Sequence, residues 1–260
     1  MAEAGWYSFF RWNGFGSPSD FVGLRNFRLL FDNADFRTAL TNNLLIIAVS
    51  LLVQLPLALG LAVLLADRTR GTNAYRLIFF MPYVLADVAA GLIWRFVYDG
   101  DYGLIAKTWS WFGAVAPQVL AEPELAMSAI LVVVVWKYFG FHMVLYIAGL
   151  QQIDRTLYEA ARIDGASAWQ TFTRVTVPLL GSTIRLSVFF AILGSLQLFD
   201  LIMPLTKGGP LNSTHTMVSY LYTFGVTRMQ IGFGSAVGVV LFVICVGFAF
   251  VYKRRVMRDD

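Results

Sequence analysis

Five apolar runs decide what this chain can become. Residues 40–66, 77–98, 125–150, 179–205 and 231–252 are each long enough to cross a bilayer as a helix, which takes about 20 residues. In hydrocarbon every backbone N–H and C=O must find a partner within the protein, so such runs fold as helices. Only 14% of the chain is charged and its mean hydropathy is +0.65, whereas a soluble domain is about a quarter charged. The expected fold class is therefore all-α integral membrane.

The other counts narrow the function. Cys245 is the only cysteine and lies inside an apolar run, so neither a disulfide framework nor a cysteine metal site is expected. His142 and His215 are too far apart in sequence to form a local metal pair. The net charge of +4 reads as orienting Lys and Arg on cytoplasmic loops, not as a nucleic-acid surface. There is no P-loop, no nucleophile–base–orienter set and no inverted repeat of broken helices. A transport subunit that takes its energy from another chain fits better than an enzyme.

Basic residues set the orientation. With the C-terminus in the cytoplasm, inside segments carry Arg68, Arg70, Arg76, Arg155, Arg162, Arg174, Lys253, Arg254, Arg255 and Arg258. Outside segments between spans carry Lys107, Lys207 and Arg228. Residues 1–39 then form an extracytoplasmic segment that adds Arg11, Arg25, Arg28 and Arg37 against the trend. Residues 40–252 are the transmembrane domain and 253–260 a cytoplasmic tail.

Between the third and fourth runs, residues 156–178 read as two short polar-apolar helices on the cytoplasmic side. Thr156-Leu157-Tyr158-Glu159 has the form of a capping box, and Ser167-Ala168-Trp169-Gln170 repeats it. Asp164-Gly165 reads as a stop, with Gly165 free to take the left-handed conformation. Trp169, Phe172 and Val175 recur at three-residue spacing and give the second helix one apolar face. Ala160 and Ala161 keep the first helix narrow, and Pro178 is expected to open the next element.

The run Glu159-Ala160-Ala161-Arg162-Ile163-Asp164-Gly165-Ala166 resembles the EAA loop of binding-protein-dependent ABC importer permeases. Phe21-Val22-Gly23-Leu24-Arg25-Asn26-Phe27, Phe80-Met81-Pro82-Tyr83 with Gly91-Leu92-Ile93-Trp94, and Gly149-Leu150-Gln151 are similar to further segments of that family. So are Gly194-Ser195-Leu196-Gln197-Leu198-Phe199-Asp200 and Thr206-Lys207-Gly208-Gly209-Pro210, the last typical of the carbohydrate branch, with its oligosaccharide and glycerol-phosphate importers. The resemblance implies a type I permease fold in the cell (inner) membrane, with five visible helices of six. It also implies partners: ABC ATPase subunits that bind ATP and Mg, a second homologous permease subunit, an extracytoplasmic solute-binding protein and a sugar substrate. Membrane lipid surrounds the chain, and no cofactor is expected on the chain itself. Glu159, Ala160, Ala161, Asp164, Gly165, Trp169 and Phe172 would couple to the ATPase. Two departures stand out: Asp154 replaces a usual proline, and the family's first span, expected before residues 7–12, is absent. A start assigned too late is the favoured account, and a shortened chain the other.

Polar residues inside the runs need a reason, because a lipid-facing charge costs a few kcal/mol. Asp87 and Lys137 read either as a structural ion pair or as part of a solute path with Asn43, Trp94, Phe141, Gln197 and Asp200. Amides, charges and aromatic faces together suit a hydroxyl-rich ring. Gly234 and Gly238 form a GxxxG for packing within the chain or against a second subunit. His215 is expected to be solvated in an outside loop. The rival reading is a secondary transporter or membrane scaffold with no ATPase partner.

Overall fold

The structure, a computed structural model, describes residues 1–66 and 72–256. Arg68, Arg70 and Arg258, counted above among the inside charges, lie outside the described residues, as do residues 257–260 of the expected tail.

In chain order the helices are α1 (Ala2–Tyr7), α2 (Arg25–Asp32), α3 (Ala34–Leu65), α4 (Thr72–Val84), α5 (Asp87–Val97) and α6 (Leu104–Ser110). There follow α7 (Pro123–Leu150), α8 (Arg155–Ile163), α9 (Ala168–Leu179), α10 (Gly181–Leu196), α11 (Ile202–Leu205), α12 (Met217–Val226) and α13 (Ile231–Arg255). Among the described residues the only strand-like feature is a bridge between Phe10 and Phe21. α3, α7 and α13 are each long and apolar enough to cross a membrane. Counting α4 with α5, and α9 with α10, as interrupted spans brings the total among the described residues to five.

The interruptions correct two expectations. Residues 77–98 were read as one span, yet the helix stops at Val84 and restarts at Asp87. Pro82 lacks the N–H that a continuing helix needs, which weakens the turn just before the stop. Residues 179–205 were also read as one span, but α10 ends at Leu196. There the Leu198 carbonyl accepts a 2.7 Å bond from the Thr216 hydroxyl, a side chain from outside the run. The first span begins before the expected boundary at 39/40, because the Asn33 side chain caps α3 by accepting from the Phe36 N–H at 3.1 Å. α12 was not anticipated; Thr216 and Ser219 cap it reciprocally.

The chain divides into two compact units. The first comprises Met1–Ala48, Ala86–Val134 and Leu193–Phe250. Its core packs Leu30, Phe36 and Ala39 with Met217, Tyr220, Phe224 and Val237, and Tyr220 stacks on Phe224 at 4.4 Å. Gly234 fits directly against Gly225: a Cβ on Gly225 would lie 2.5 Å from the Gly234 Cα. The GxxxG thus packs α13 inside this chain. The residues 1–39 segment is folded as well. Asn26 donates to the Ser8 and Phe10 carbonyls at 2.8 and 2.9 Å, and the Gly232 N–H donates to the Trp12 carbonyl at 3.0 Å.

The second unit comprises the described parts of Val49–Leu85, Val135–Ile192 and Val251–Asp260. Ala58, Ala62, Phe139, Met143, Tyr146, Ile147, Leu150 and Leu180 form its core. Gly140 lets α7 approach α4 so closely that a Cβ there would collide with the Phe79 carbonyl. Nearby, the His142 ring meets the Ser187 hydroxyl at 2.7 Å, joining α7 to α10.

Candidate coupling segment and embedded polar residues

The segment between α7 and α10 belongs wholly to the second unit. α8 starts earlier than the sequence suggested. Asp154 is its N-cap, accepting from the Thr156 N–H at 2.9 Å. The Thr156–Glu159 capping box therefore does not form, because Asp154, two residues upstream, already supplies the cap. That N–H bond, with help from the Thr156 hydroxyl, holds the Asp154 carboxyl below the usual carboxylate range.

The turn after α8 is a Schellman motif. The Gly165 N–H donates to the Arg162 carbonyl at 3.1 Å and the Ala166 N–H to the Ala161 carbonyl at 2.9 Å. Gly165 has φ +75°, the left-handed conformation expected of it. The second capping box forms as written: the Ser167 hydroxyl accepts from the Gln170 N–H at 3.3 Å and the Gln170 amide oxygen from the Ser167 N–H at 2.8 Å. Contrary to expectation, Pro178 does not begin a new element. α9 widens into a π turn at Phe172–Thr176, runs through Pro178 and bends by 71° into α10.

The segment's exposed surface is mixed, with charged side chains beside two large apolar ones. Ile163 is 86% exposed and Trp169 70%, and the Trp169 ring leans on Phe172 at 5.6 Å. Glu159, Ala160, Asp164 and Gly165 are exposed and Ala161 is half-buried. Tyr158 and Thr176 had no local signal in the sequence, yet their hydroxyls meet at 3.4 Å and tie α8 to α9.

The structure distributes the expected solute-path residues between the units. In the first, Asp87 opens α5, where its negative charge suits the helix N-terminus. One face of α5 lies against α11: a Cβ on Gly91 would sit 3.1 Å from the carbonyl of Leu201, the neighbour of Asp200. Trp94 leans on Tyr98 at 5.2 Å, and Gln197 and Asp200 are exposed. Asn43 is buried, donating to the Ser195 carbonyl at 2.7 Å and accepting from the Met217 N–H at 2.9 Å. Asn42, which sequence reasoning passed over, donates to the Ser213 and His215 carbonyls at 2.7 and 2.9 Å. These bonds carry His215 inward to 1% exposure, correcting the expectation of a solvated loop.

In the second unit, Lys137 and Phe141 lie one turn apart on α7. Tyr83 stacks on Phe141 at 4.9 Å, and the Lys137 ammonium lies 5.8 Å from the Tyr83 ring. The ammonium is buried and donates to the Pro82 carbonyl at 3.0 Å, to the Tyr83 carbonyl at 3.1 Å and to the Leu85 carbonyl. Those oxygens lie at the end of α4, where no following turn supplies N–H donors. Among the described residues, no group of three His, Cys, Asp or Glu side chains converges to hold a metal.

Comparison with known proteins accounts for this layout. The family described as "Binding-protein-dependent transport system inner membrane component" matches residues 54–256. The chain is 34% identical over 259 residues to the diacetylchitobiose uptake system permease protein NgcF of Streptomyces coelicolor, covering 92% of this chain and 71% of that protein. It is 34% identical over 258 residues to the trehalose/maltose transport system permease protein MalF of Thermococcus litoralis, with 98% and 86% covered. Among solved structures it is similar to a chain of a bacterial ABC transporter involved in the import of the acidic polysaccharide alginate. There the TM-score is 0.83 at 24% identity, with 98% of this chain and 89% of that chain covered, so the fold is shared. Capped helices between apolar spans, a match over most of the chain and a common fold agree: this multi-pass membrane protein belongs to the family of binding-protein-dependent transport system inner membrane components.

Proposed function

We propose that the chain is the permease subunit of an ATP-driven importer for a sugar or related polyol, forming half of the translocation path. The observation that carries this reading is the α8–α9 segment, a locally self-capped pair of helices that holds Ile163 and Trp169 out of its own unit. A pre-shaped surface that presents exposed apolar side chains among charged ones suits the cleft of a separate ATPase, which would sit in the cytoplasm with the chain's C-terminus. ATP and Mg belong to that partner, and this chain needs no cofactor. A second, similar permease completes the path, and a solute-binding protein delivers substrate from outside. Relatives named for diacetylchitobiose and trehalose/maltose support the choice of sugar.

Within the path, Asp87, Trp94, Phe141, Gln197 and Asp200 are the residues we assign to solute. Asn43 and Lys137, whose polar atoms bond backbone groups, hold the frame around them. Glu159, Ala160, Ala161, Asp164, Gly165, Trp169 and Phe172 form the coupling surface. Gly165→Val tests the assignment in the assembled transporter. No atom lies within 4 Å of a Cβ built there, so the change alters the turn and meets no obstacle. Uptake is expected to fall while ATP hydrolysis persists; unimpaired uptake would remove the segment from the coupling role.

A further inference from the structure

In the first unit, the loop of residues 206–216 between α11 and α12 closes around His215, a buried base that neither the coupling segment nor the solute-path residues use. Gly208 makes room for the ring: a Cβ there would lie 2.0 Å from the imidazole Cε1. The ring's Nδ1 meets the Ser219 hydroxyl at 3.0 Å, and the Thr214 N–H closes the loop by donating to the Gly208 carbonyl at 3.1 Å. Thr214, Thr216 and Ser219 around it are fully buried. To reach this arrangement Lys207 and Leu211 take left-handed φ values of 55° and 50°. Side chains rarely adopt that conformation, and it persists only while the surroundings enforce it.

The ring fits as a neutral imidazole. One ring hydrogen is enough for the contact with Ser219, and Nε2 is buried with no hydrogen-bonding atom in reach among the described residues. A second proton would make both nitrogens donors and leave a charged N–H at Nε2 with nothing to accept it. The titratable and charged groups that face the ring are Asp35 on α3, Tyr220 on α12, with 6.4 Å between the rings, and Arg228 just beyond α12. Burial holds the ring below the ordinary imidazole value; the Asp35 carboxylate opposes that shift and the Arg228 guanidinium adds to it. Tyr220, a phenol that titrates in alkali, is neutral throughout the acid range.

We propose that His215 is an acid-sensitive latch: the neutral ring docks the 206–216 loop on α3 and α12, and protonation releases it. The docked loop also holds the break after α10, through the Thr216 hydroxyl on the Leu198 carbonyl and through Asn43, which bonds both the Met217 N–H and the Ser195 carbonyl. Release therefore loosens the stretch that carries Gln197 and Asp200. That last consequence matters for solute only on the importer reading; the latch itself does not need it. The released ring titrates near pH 6.5 and the docked ring lower, so the released state takes up the proton first. Docking is complete above about pH 6.5 and weakens by up to about tenfold for each pH unit below it, until the docked value is reached.

The test is hydrogen exchange of the Thr214 amide in the full chain in detergent, as protection relative to the intrinsic rate, from about pH 8 to about pH 5. Protection should be constant down to about pH 6.5 and then fall by about tenfold. The Gly232 amide, bonded to the Trp12 carbonyl in the same unit, should keep its protection throughout. His215→Gln can still bond Ser219 but cannot titrate, and should make the Thr214 profile flat. Asp35→Asn should retain the loss, because the proton that matters goes to the ring and not to the carboxylate that accepts from Asn212. A flat profile in the parent, a parallel loss at Gly232, a persisting loss in His215→Gln, or a flat profile in Asp35→Asn would each overturn the proposal. The parent and Asp35→Asn decide it even where His215→Gln does not fold. No measurement involves transport, so failure here leaves the importer reading standing.

Discussion

Two helix ends show how one problem is solved in two solvents. α8 stops at Ile163 and α4 at Val84, and each leaves carbonyls that the next turn would have bonded. At α8 the remedy is local: Gly165 turns left-handed, and two N–H groups within three residues of the helix end take the Ala161 and Arg162 carbonyls. At α4 the remedy comes from another helix, as Lys137 reaches the Pro82, Tyr83 and Leu85 carbonyls from more than 50 residues away in sequence. Where water can serve the remaining groups, a helix can end on its own residues. In hydrocarbon no such help exists, and a buried charge and the unpaired carbonyls of a broken helix are each tolerable only because they meet.

The largest expected effect falls on the embedded end. Lys137→Met leaves the Pro82, Tyr83 and Leu85 carbonyls without that donor, and a carbonyl left unbonded away from water costs about 1–3 kcal/mol. Thermal unfolding in detergent should show a loss of several kcal/mol, and a parent-like transition would mean that the break is satisfied otherwise. At the exposed end, Gly165→Val forces a β-branched residue into the left-handed region at about 1–2 kcal/mol. Its stability loss should be the smaller of the two, and a reversed order would break the contrast between the sites. Ser167→Ala removes half of the α9 capping box and should cost about 1 kcal/mol, read as faster hydrogen exchange at the Gln170 amide with the α7 core unchanged.

Acid should have the mildest effect. The Asp154 carboxyl is lowered by the Thr156 N–H, so its folded value lies below its unfolded one. The stabilisation is therefore complete above the unfolded carboxylate range, near pH 4, and is lost as pH falls through the depressed folded value. Protection of the Thr156 amide, its exchange measured against the intrinsic rate at each pH, should fall there in the parent and stay constant in Asp154→Asn. Matching profiles would remove Asp154 as the cap.

The same contrast explains what the sequence disclosed. Gly165 and the Ser167–Gln170 box were legible because all their partners lie within a few residues. The Thr156–Glu159 box was misread because a better cap stood two residues earlier, so the error was one of register. The breaks after Val84 and Leu196 were hidden because hydropathy sees uninterrupted apolar runs. What stops those runs is a proline in one case and a hydroxyl from Thr216 in the other. His215 looked like a loop residue because the amide that draws its carbonyl in, that of Asn42, lies 173 positions away. The solute-path residues were chosen by type alone, and type does not distinguish an amide aimed at solute from one bonded to backbone.

The paired amides Asn42 and Asn43 also set an order of events during synthesis. Their partners at Ser213 and Met217 follow 171 and 174 residues later. At ribosomal speeds of about 5–20 residues per second, the first span exists for on the order of ten to thirty seconds before those partners are made. For that interval two amides sit in or beside lipid with makeshift partners, and α3 cannot settle into its final contacts. The last third of the chain is thus what locks the first span in place, and a nascent chain stalled before residue 213 would present its quality-control machinery with a membrane helix still seeking its hydrogen bonds.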